Sequence, residues 1–430
     1  MEALPAAGAS PHLARWGIAA VESDGVVAAR FAVGPTRVLA VAQDARFLGG
    51  SIGANHGALL QHVFERTVDE RPDAVILLVD SGGVRLHEAN AAEWALARAL
   101  RALFDVRRAG IATLAIVTGG AFGGASVLAA ACEHLLFMPH ARFGLSGPGV
   151  IESAHGKAEL DAGDSDAVTA LFGASARVTA GIGAAIDDDI DAVRTAIRAV
   201  TRRAERFDRR ALDAWDAKLA ARLARAGLAA AAAARSPSPM PILADAVPVD
   251  ATGWLWHLRD SDIHLLRPLA PLTFDPTVAV AVAQAISVGL PPRSPLVVIE
   301  DSPGHAATRM AEAIGVSEYL AAHAARLAFL QSEGHVVLGL LAGRGHSAAF
   351  FVNALQATTL DALAGARIEA MAPDAIARVT RLPANALAAL IEEDSLMGQP
   401  VRHLTALGGV ARIHNGMTGP ELRARVAELR

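Results

Sequence analysis

Glycines cluster where two apolar strands of the sequence turn into helices. The stretch VTGGAFGGAS (117–126) follows the apolar run IATLAI and precedes VLAAAC, and SGG (81–83) follows AVILLVD. Glycine adopts backbone angles closed to other residues and lets a ligand approach the main chain. The first turn of a helix also has unpaired N–H groups and a positive dipole end. Two such turns side by side can aim two N–H donors at one oxygen atom, which is an oxyanion hole.

The same pattern occurs in both halves of the chain. The first half has AVILLVDSGGVRLHEA (74–89) and IATLAIVTGGAFGGASVLAA (111–130), and the second has PLVVIEDSPGHAATRMAEA (295–313) and HVVLGLLAGRGHSAAFFVNA (335–354). A single Gly-Gly pair is more often a device for close packing of a helix on a strand. Two similar turns at similar spacing in each half favour a functional site and predict an internal duplication.

Alternating strands and helices with continuously apolar strands predict an α/β fold with a parallel sheet in each half. In such sheets ligands bind at the carboxyl ends of the strands, where these turns lie. The chain has 430 residues, which favours two domains. The stretch LAAAAAARSPSPMP (228–241) is typical of a linker, so we expect domains at 1–227 and 242–430. The Arg-rich segment 191–225 predicts an amphipathic helix or helix pair.

Composition excludes several classes of protein. The net charge is -5 and no basic cluster is interleaved with aromatic residues, so we expect no nucleic-acid partner. Cys132 is the one cysteine, which excludes an intrachain disulfide and a cysteine zinc site, and its apolar surroundings predict a buried, inert thiol. Without a secretory signal or an apolar run of about 18 residues, we expect a cytoplasmic protein with no membrane partner.

Other site chemistries fit the sequence poorly. The motif GGAS lacks the lysine of a phosphate-binding loop, and residues 120–124 read GAFGG instead of the dinucleotide fingerprint GxGxxG. Ser126 lies in GASVL, which is not a hydrolase nucleophile elbow. No HExxH motif occurs among the fifteen histidines, so no metal site is predicted.

Five strings of the sequence resemble a known family. FLGGSIGANHG (47–57), SGGVRLHEAN (81–90) and FGLSGPGVIE (143–152) resemble the β subunit of biotin-independent malonate decarboxylase. LLAGRGHSAAF (340–350) and IEAMAPDAIARVT (368–380) resemble its γ subunit. The chain thus resembles a fusion of the two subunits. This resemblance, which extends to acyl-CoA carboxyltransferases, implies two tandem crotonase-like (ββα-spiral) domains.

The resemblance also implies an activity. A malonyl thioester on an acyl carrier protein would lose carbon dioxide to give the acetyl thioester, and a separate acetyl/malonyl transferase subunit would reload the carrier. No cofactor is expected to bind directly, since the substrate is carried on a phosphopantetheine-type arm or on coenzyme A. The sequence leaves open which of these carriers is used and whether the chain forms a homo-oligomer.

The resemblance assigns roles to individual residues. The crotonase pattern makes the amides of Val84 and Gly124 the oxyanion donors. Residue chemistry, and not the resemblance, makes His305 the candidate proton donor to the enolate: it lies in the turn that mirrors Val84, and histidine can be protonated near neutral pH. The remaining assignments to substrate binding are Gly82, Gly83, Gly120 and Gly123 in the first half and Ser302, Gly304, Gly345, Ser347 and Ala348 in the second, where the malonyl carboxylate is expected. Gly49, Gly50 and Ser51 are assigned to binding of the cofactor arm.

Several alternatives stay open. Protonation by water, with His305 only lining the site, is the favoured alternative to protonation by His305, since the distance from donor to carbon is not in the sequence. Ala348 or Ala349 stands where the family has glycine, and His305 and His346 also depart from its pattern. Arg85 is expected to pair with a carboxylate and fix its loop. A biotin-dependent carboxyltransferase and a non-catalytic scaffold that binds acyl carrier protein are the competing functions.

Overall fold

The structure is a computed structural model that describes residues 1–202, 204, 206–233 and 241–430. The chain divides into two compact units. Unit 1 comprises Met1–Leu212 and Ala307–Ala321, and unit 2 comprises Asp213–Ala306 and Ala322–Arg430. Residues 234–240 of the expected linker lie outside the described residues. Unit 1 thus includes a segment of the second half of the sequence, which matters for the site described below.

The strands of unit 1 form one mixed sheet in the order β1-β2-β3-β4-β5-β6-β8, with β7 paired to β5. The strands from β3 onward pair in parallel, whereas β1, β2 and β3 pair antiparallel. Their bounds are β1 Glu2–Ala3, β2 Val26–Val33, β3 Thr36–Gln43, β4 Ala74–Ser81, β5 Ala112–Ala121, β6 His134–Phe137, β7 Arg142–Phe143 and β8 Ala184–Ala185.

The strands of unit 2 form a sheet in the order β17-β15-β13-β12-β11-β10-β9, beside a two-stranded pair, β14 and β16. The strands β11, β12, β13, β15 and β17 pair in parallel, and β9, β10 and β11 pair antiparallel. Their bounds are β9 Ala246–Pro248, β10 Leu255–Leu258, β11 His264–Leu266, β12 Leu296–Glu300, β13 Val337–Leu341, β14 Arg344–His346, β15 Thr359–Leu363, β16 Arg367–Glu369 and β17 Arg412–His414.

The helices connect these strands as crossovers or follow them. They are α1 Ala54–Glu70, α2 Ala89–Arg108, α3 Gly124–Ala130, α4 Pro148–His155, α5 Ser165–Phe172, α6 Ala174–Thr179, α7 Ile190–Thr201, α8 Arg209–Arg225, α9 Pro241–Ala244, α10 Pro276–Gly289, α11 Arg309–Ala313, α12 Val316–Ser332, α13 Ser347–Val352, α14 Pro373–Thr380, α15 Ala384–Glu393, α16 Arg402–Ala406 and α17 Gly419–Glu428. Short 3-10 turns lie at Ala14–Trp16, Leu48–Gly50 and Ala354–Gln356.

Small and β-branched residues build the core, as the low aromatic content requires. In unit 1, α1 and α2 pack so closely that a Cβ placed on Gly57 would lie 2.8 Å from the Cβ of Ala95. Valine, isoleucine and leucine side chains from β3, β4 and β5 fill the space between that sheet and α7. Close packing of this kind holds the strand ends, and the turns that follow them, in fixed positions.

Most of the sequence-based expectations for the fold are confirmed. Each unit has the predicted parallel strands, and the Arg-rich segment forms the predicted helix pair, α7 and α8. The antiparallel strands at one edge of each sheet were not predicted. Cys132 is buried, and burial raises the pKa of its thiol to about 12, as expected of an inert cysteine. Within the described ranges, every helix is too short or too polar to cross a membrane.

Candidate active site

Two glycine turns of unit 1 pack directly against each other. They follow the neighbouring parallel strands β4 and β5. A Cβ placed on Gly83 would lie 2.9 Å from the carbonyl oxygen of Phe122, and one placed on Gly123 would lie 3.4 Å from the Cα of Gly83. Both glycines also have positive φ, 97° and 55°. Only glycine combines this conformation with this close approach. The side-by-side arrangement predicted from the sequence is present.

The backbone N–H of Val84 takes no part in the hydrogen bonds of the first turn. Ile52 N–H donates to the carbonyl of Gly83 at 2.8 Å, and Arg85 N–H donates to the carbonyl of Ile52 at 2.9 Å. This short parallel bridge holds Val84 in place without using its own N–H. In the described part of the chain, that N–H has no acceptor within hydrogen-bond distance.

The backbone N–H of Gly124 takes no part in the hydrogen bonds of the second turn. Gly123 N–H donates to the carbonyl of Leu145 at 2.9 Å, and Ala125 N–H donates to the carbonyl of Phe122 at 3.2 Å. The Gly124 N–H between them has no acceptor among the described residues. Buried backbone donors in native proteins are nearly always paired. Gly124 is buried and Val84 is half-buried, so their two unpaired N–H groups in adjoining turns indicate a place for a ligand oxygen.

Val84 and Gly124 are neighbours in space. A Cβ placed on Gly124 would lie 3.6 Å from Cγ2 of Val84 and 2.4 Å from Cδ2 of Leu96 on α2. Position 124 therefore has no room for a side chain, which is a packing reason for glycine there. Of the residues assigned to the site in this half, Gly82, Gly83, Gly120 and Gly123 lie in the same pair of turns. Their contact with substrate stays a prediction.

Residues 49–51, which are expected to bind the cofactor arm, contact the first glycine turn. Gly82 N–H donates to the carbonyl of Gly49 at 2.9 Å. A Cβ on Gly50 would lie 1.9 Å from the carbonyl oxygen of Asp80, so this position requires glycine. The carbonyl of Ser51 accepts from the Arg85 guanidinium at 2.9 Å. These contacts give Gly49, Gly50 and Ser51 a structural role, while their binding of a cofactor arm stays a prediction.

Arg85 is fully buried and fixes the loop that carries Val84. Its Nη1 lies 2.6 Å from Oδ1 of Asp24 and 3.3 Å from Oε1 of Glu88. The predicted pairing with a carboxylate is therefore confirmed. Burial raises the pKa of Asp24, although the guanidinium opposes that rise. Asp24 lies 61 residues away in the chain, and no local pattern in the sequence identified it as the partner.

The turn after β12 in unit 2 has the same hydrogen bonds as the turn after β4 in unit 1, at positions that the sequence comparison of the two halves predicts. Ser302 Oγ accepts from Gly304 N–H at 3.0 Å, as Ser81 Oγ accepts from Gly83 N–H at 3.2 Å. Gly304 also has positive φ, 105°. Phe274 and His305 form the parallel bridge that Ile52 and Val84 form in unit 1. This correspondence supports the predicted duplication and places His305 at the position equivalent to Val84.

The second turn of unit 2 departs from its counterpart. Ser347 has φ 53°, close to the 55° of Gly123. Ser347 is the first residue of α13, whereas Gly123 precedes the first residue of α3. A Cβ on Gly345 would meet the ring of Phe350 at 2.8 Å, which explains that glycine by packing. Ser347 is strained in this region because its side chain disfavours positive φ. The assigned binding roles of these residues remain predictions.

Two histidines of unit 2 lie at these turns with different surroundings. Burial, together with the nearby His346, lowers the pKa of His305 to about 4. Its Nδ1 lies 3.4 Å from Oγ of Ser347. His346 instead pairs through Nδ1 with Oε2 of Glu369 at 2.7 Å, and 19% of its side chain is exposed. Sequence reasoning missed Glu369, although the string IEAMAP that contains it carried part of the resemblance.

A buried polar chain lies at the end of β12. Glu300 Oε2 accepts from Asn353 Nδ2 at 2.7 Å, and Asn353 Oδ1 lies 2.9 Å from Nε2 of His323. Burial raises the pKa of Glu300 to about 8 and lowers the pKa of His323 to about 4. Both groups are therefore mainly uncharged near neutral pH. Sequence reasoning missed this buried polar network, because the bonded residues are 30 and 53 positions apart.

Comparison with known proteins agrees with the two-part organisation. A family described as carboxyl transferase domain matches residues 8–218. A family described as malonate decarboxylase gamma subunit matches residues 271–429. The chain is therefore similar to a carboxyl transferase domain in its first half and to a malonate decarboxylase gamma subunit in its second half. It combines in one polypeptide the two regions that the sequence strings had indicated.

The similar proteins include curated sequences and solved structures. The malonyl-S-ACP:biotin-protein carboxyltransferase MADC of Malonomonas rubra is 39% identical over 36% of this chain and 54% of its own length. The chain thus spans about half the length of this relative. A Pseudomonas malonate decarboxylase hetero-tetramer with malonate is 34% identical over 47% of this chain and 76% of that chain, with a TM-score of 0.45. The Pseudomonas MdcD-MdcE hetero-dimer is 33% identical over 45% and 84%, with a TM-score of 0.40.

Proposed function

We propose that the protein decarboxylates a malonyl thioester to the acetyl thioester and carbon dioxide without biotin. The observation that carries the proposal is the pair of unpaired amides, Val84 and Gly124, in two turns that pack on each other. Similarity to the malonate decarboxylase gamma subunit over residues 271–429 supports the choice of substrate. The two free N–H groups support the choice of mechanism, since the reaction needs a site that stabilises negative charge on one oxygen.

The chemistry requires an electron sink. When the bond between the carboxylate and the α-carbon breaks, its electron pair passes into the thioester and forms an enolate whose charge is largely on oxygen. Two preorganised N–H donors stabilise that oxygen more than they stabilise the neutral carbonyl of the substrate. Each donor contributes about 2.7–4 kcal/mol to the transition state in comparable sites. The enolate carbon then takes a proton to complete the acetyl group.

The proposal for the proton donor rests on the protonation state of His305. His305 was the candidate from sequence, but its pKa of about 4 leaves the ring uncharged at neutral pH. A neutral imidazole is a poor acid, so this shift supports water as the proton source and a lining role for His305. We keep Ser302, Gly304, Gly345, Ser347 and Ala348 as the proposed contacts of the malonyl carboxylate.

Carrier and partners follow from the similarity. The name of MADC specifies a malonyl thioester on an acyl carrier protein, and one Pseudomonas malonate decarboxylase structure is described as a complex with coenzyme A. We propose that an acyl carrier protein delivers the substrate on its pantetheine arm, that Gly49, Gly50 and Ser51 contact this arm, and that an acetyl/malonyl transferase subunit reloads the carrier.

A second candidate function is transfer of the carboxyl group to a biotin protein. The name of MADC, with 39% identity, describes that reaction, and an oxyanion site of the same kind would serve it. The two functions differ in the fate of the carboxyl group. Decarboxylation releases carbon dioxide with no acceptor present, whereas transfer requires the biotin protein.

The test is to incubate the full chain with malonyl-coenzyme A and, separately, with a malonyl acyl carrier protein, both without biotin. We expect carbon dioxide and acetyl thioester in equal amounts. Formation of acetyl thioester only after a biotinylated protein is added, with carboxybiotin as the second product, would establish the second function. No turnover of either thioester under both conditions would reject both reactions and favour a scaffold.

A further inference from the structure

Glu312 is a buried carboxylate that binds two backbone amides of unit 1. It lies on α11, in the segment Ala307–Ala321 that belongs to this unit although it follows the linker in sequence. Its Oε2 accepts from Leu145 N–H at 3.1 Å and its Oε1 accepts from Ser146 N–H at 2.5 Å. The side chain is fully buried. A carboxylate that accepts two amide hydrogen bonds fixes the backbone between them.

The fixed backbone is in turn bonded to the second glycine turn. The carbonyl of Leu145 accepts from Gly123 N–H at 2.9 Å. A Cβ placed on Gly144 would lie 2.5 Å from Cε1 of Phe172 and 2.9 Å from Oε2 of Glu312, so the loop fits closely around the carboxylate. A change in the position of Glu312 therefore displaces the acceptor that holds the N–H of Gly123.

The carbonyl of Gly123 accepts hydrogen bonds from α3, and the hydroxyl of Ser126 on that helix contacts Ser317 of the same segment. Ser126 Oγ donates to this carbonyl at 2.7 Å, and Ser317 Oγ lies 2.8 Å from Ser126 Oγ. Because the Ser126 hydrogen is directed to the carbonyl, Ser317 is the donor of the bond between the two hydroxyls. The carbonyl of Gly123 and the N–H of Gly124 belong to one planar peptide group. Fixing the carbonyl therefore fixes the direction of the Gly124 N–H.

We propose that Glu312, together with Ser317, is a positioning residue that aims the Gly124 amide at the substrate oxygen. This inference rests on the proposed function for its catalytic consequence. It assigns the segment Ala307–Ala321, which the malonate decarboxylase gamma-subunit family matches, to the support of a donor that lies in the carboxyl transferase region. The two matched regions are then not independent, because one carries the donor and the other orients it.

The test compares Glu312→Gln and Ser317→Ala in the full chain. The glutamine keeps the size of the side chain but places an N–H₂ against one of the two backbone amides. We expect kcat to fall by about tenfold to a hundredfold in Glu312→Gln, because a misdirected donor loses most of its stabilisation of the transition state. Ser317→Ala is expected to lower kcat less. KM should stay unchanged in both, since the donors act on the transition state.

Glu159→Gln is the matched control. Glu159 binds the same segment through the backbone N–H of Arg309 at 2.8 Å, but it contacts neither glycine turn. We expect its kcat and KM to equal those of the wild type. A Glu312→Gln variant that is folded and has wild-type kcat would overturn the proposal, as would equal losses in the variant and the control. Should Glu312→Gln fail to fold, a wild-type kcat in folded Ser317→Ala would overturn it.

Hydrogen–deuterium exchange separates this inference from the proposed function. Peptides that cover residues 121–126 should exchange faster in Glu312→Gln than in the wild type and the control. If the wild type releases no carbon dioxide from either thioester, the proposed function fails while the exchange result still decides the positioning role. Unchanged exchange at 121–126 would reject that role even in an active enzyme.

Discussion

Oδ1 of Asp80 lies 2.7 Å from the backbone nitrogen of Gly120 and accepts its hydrogen bond. The carboxylate occupies the space beside Gly119, where a Cβ would lie 2.5 Å from it. It therefore ties the end of β4 to the end of β5, from which the two glycine turns emerge. Unit 2 has the same link, since Oδ1 of Asp301 accepts from Arg344 N–H at 3.0 Å.

Asp80→Ala removes this link. We expect a loss of about 1.5–3 kcal/mol in the free energy of unfolding, the usual contribution of a hydrogen bond to a charged group. We also expect a lower kcat, because the relative position of the two donor amides depends on the strand ends. Asp73→Ala is the control, since Asp73 binds the backbone N–H of Arg37 at 2.7 Å on the exposed surface. Equal kcat in both variants would contradict the role of Asp80.

Val84→Pro deletes one proposed oxyanion donor. The bridge between Ile52 and Val84 uses the amides of Ile52 and Arg85, so it survives the substitution. We expect kcat for decarboxylation to fall by about a hundredfold to a thousandfold, as for loss of one donor in other oxyanion sites. Val84→Ala keeps the amide and should retain activity. Steady-state kinetics with malonyl-coenzyme A measure the effect, and equal activity of the two variants would exclude Val84 as a donor.

Arg85→Met leaves the carboxylates of Asp24 and Glu88 buried without their cation. We expect unfolding free energy to decrease by about 3–5 kcal/mol, because an uncompensated buried charge is strongly unfavourable. Arg46→Met, which breaks the exposed pair with Asp44, should leave stability unchanged. Denaturant unfolding of both variants measures the difference. A small effect of Arg85→Met would contradict a stabilising role for this buried ion pair.

Glu300 should make the stability of the protein depend on pH. Its pKa is about 8 when folded and about 4.5 ordinarily, so the folded state binds the proton more tightly. Its contribution to stability is present below pH 4.5 and is lost as pH rises to about 8. Glu300→Gln keeps an acceptor for Asn353 and cannot ionise. In the wild type we expect ionisation of Glu300 to lower the free energy of unfolding by roughly 3–5 kcal/mol across this pH range, and we expect this loss to be absent from the variant.

Thermal unfolding at several pH values between 5 and 9 checks this prediction. The wild type should lose stability with rising pH more steeply than Glu300→Gln. The exposed Glu333 provides a control, and Glu333→Gln should follow the wild-type curve. Parallel curves for the wild type and Glu300→Gln would mean that Glu300 ionises in the folded state much as it does in the unfolded chain.

His305 should not control the rate near neutral pH. Because burial and His346 lower its pKa to about 4, its ring is uncharged from pH 6 to 8. We therefore expect the pH profile of kcat in this range to have the same shape in the wild type and in His305→Gln. A limb near pH 6.5 that is present only in the wild type would restore His305 as the proton donor.

The sequence by itself determined the local parts of this protein. Alternating apolar strands and helices predicted parallel sheets, and the Arg-rich segment predicted one amphipathic helix or a helix pair, of which the structure has the pair α7 and α8. The glycine turns were recognisable because positive φ and close approach restrict residue type at the position itself. The motif matches between the halves also predicted that His305 corresponds to Val84. Each of these features leaves a pattern of residue types within a short stretch of the chain.

Tertiary structure alone decided which distant groups complete the turns. Glu312 reaches Leu145 across 167 residues, and Asp24 reaches Arg85 across 61. Neither carboxylate stands in a distinctive motif, because a buried partner is selected by where the folded chain places it and not by its neighbours in sequence. The same holds for the pKa of His305, which burial sets. Residue types therefore indicated where chemistry could occur, and long-range packing decided which groups are charged and which amides remain free.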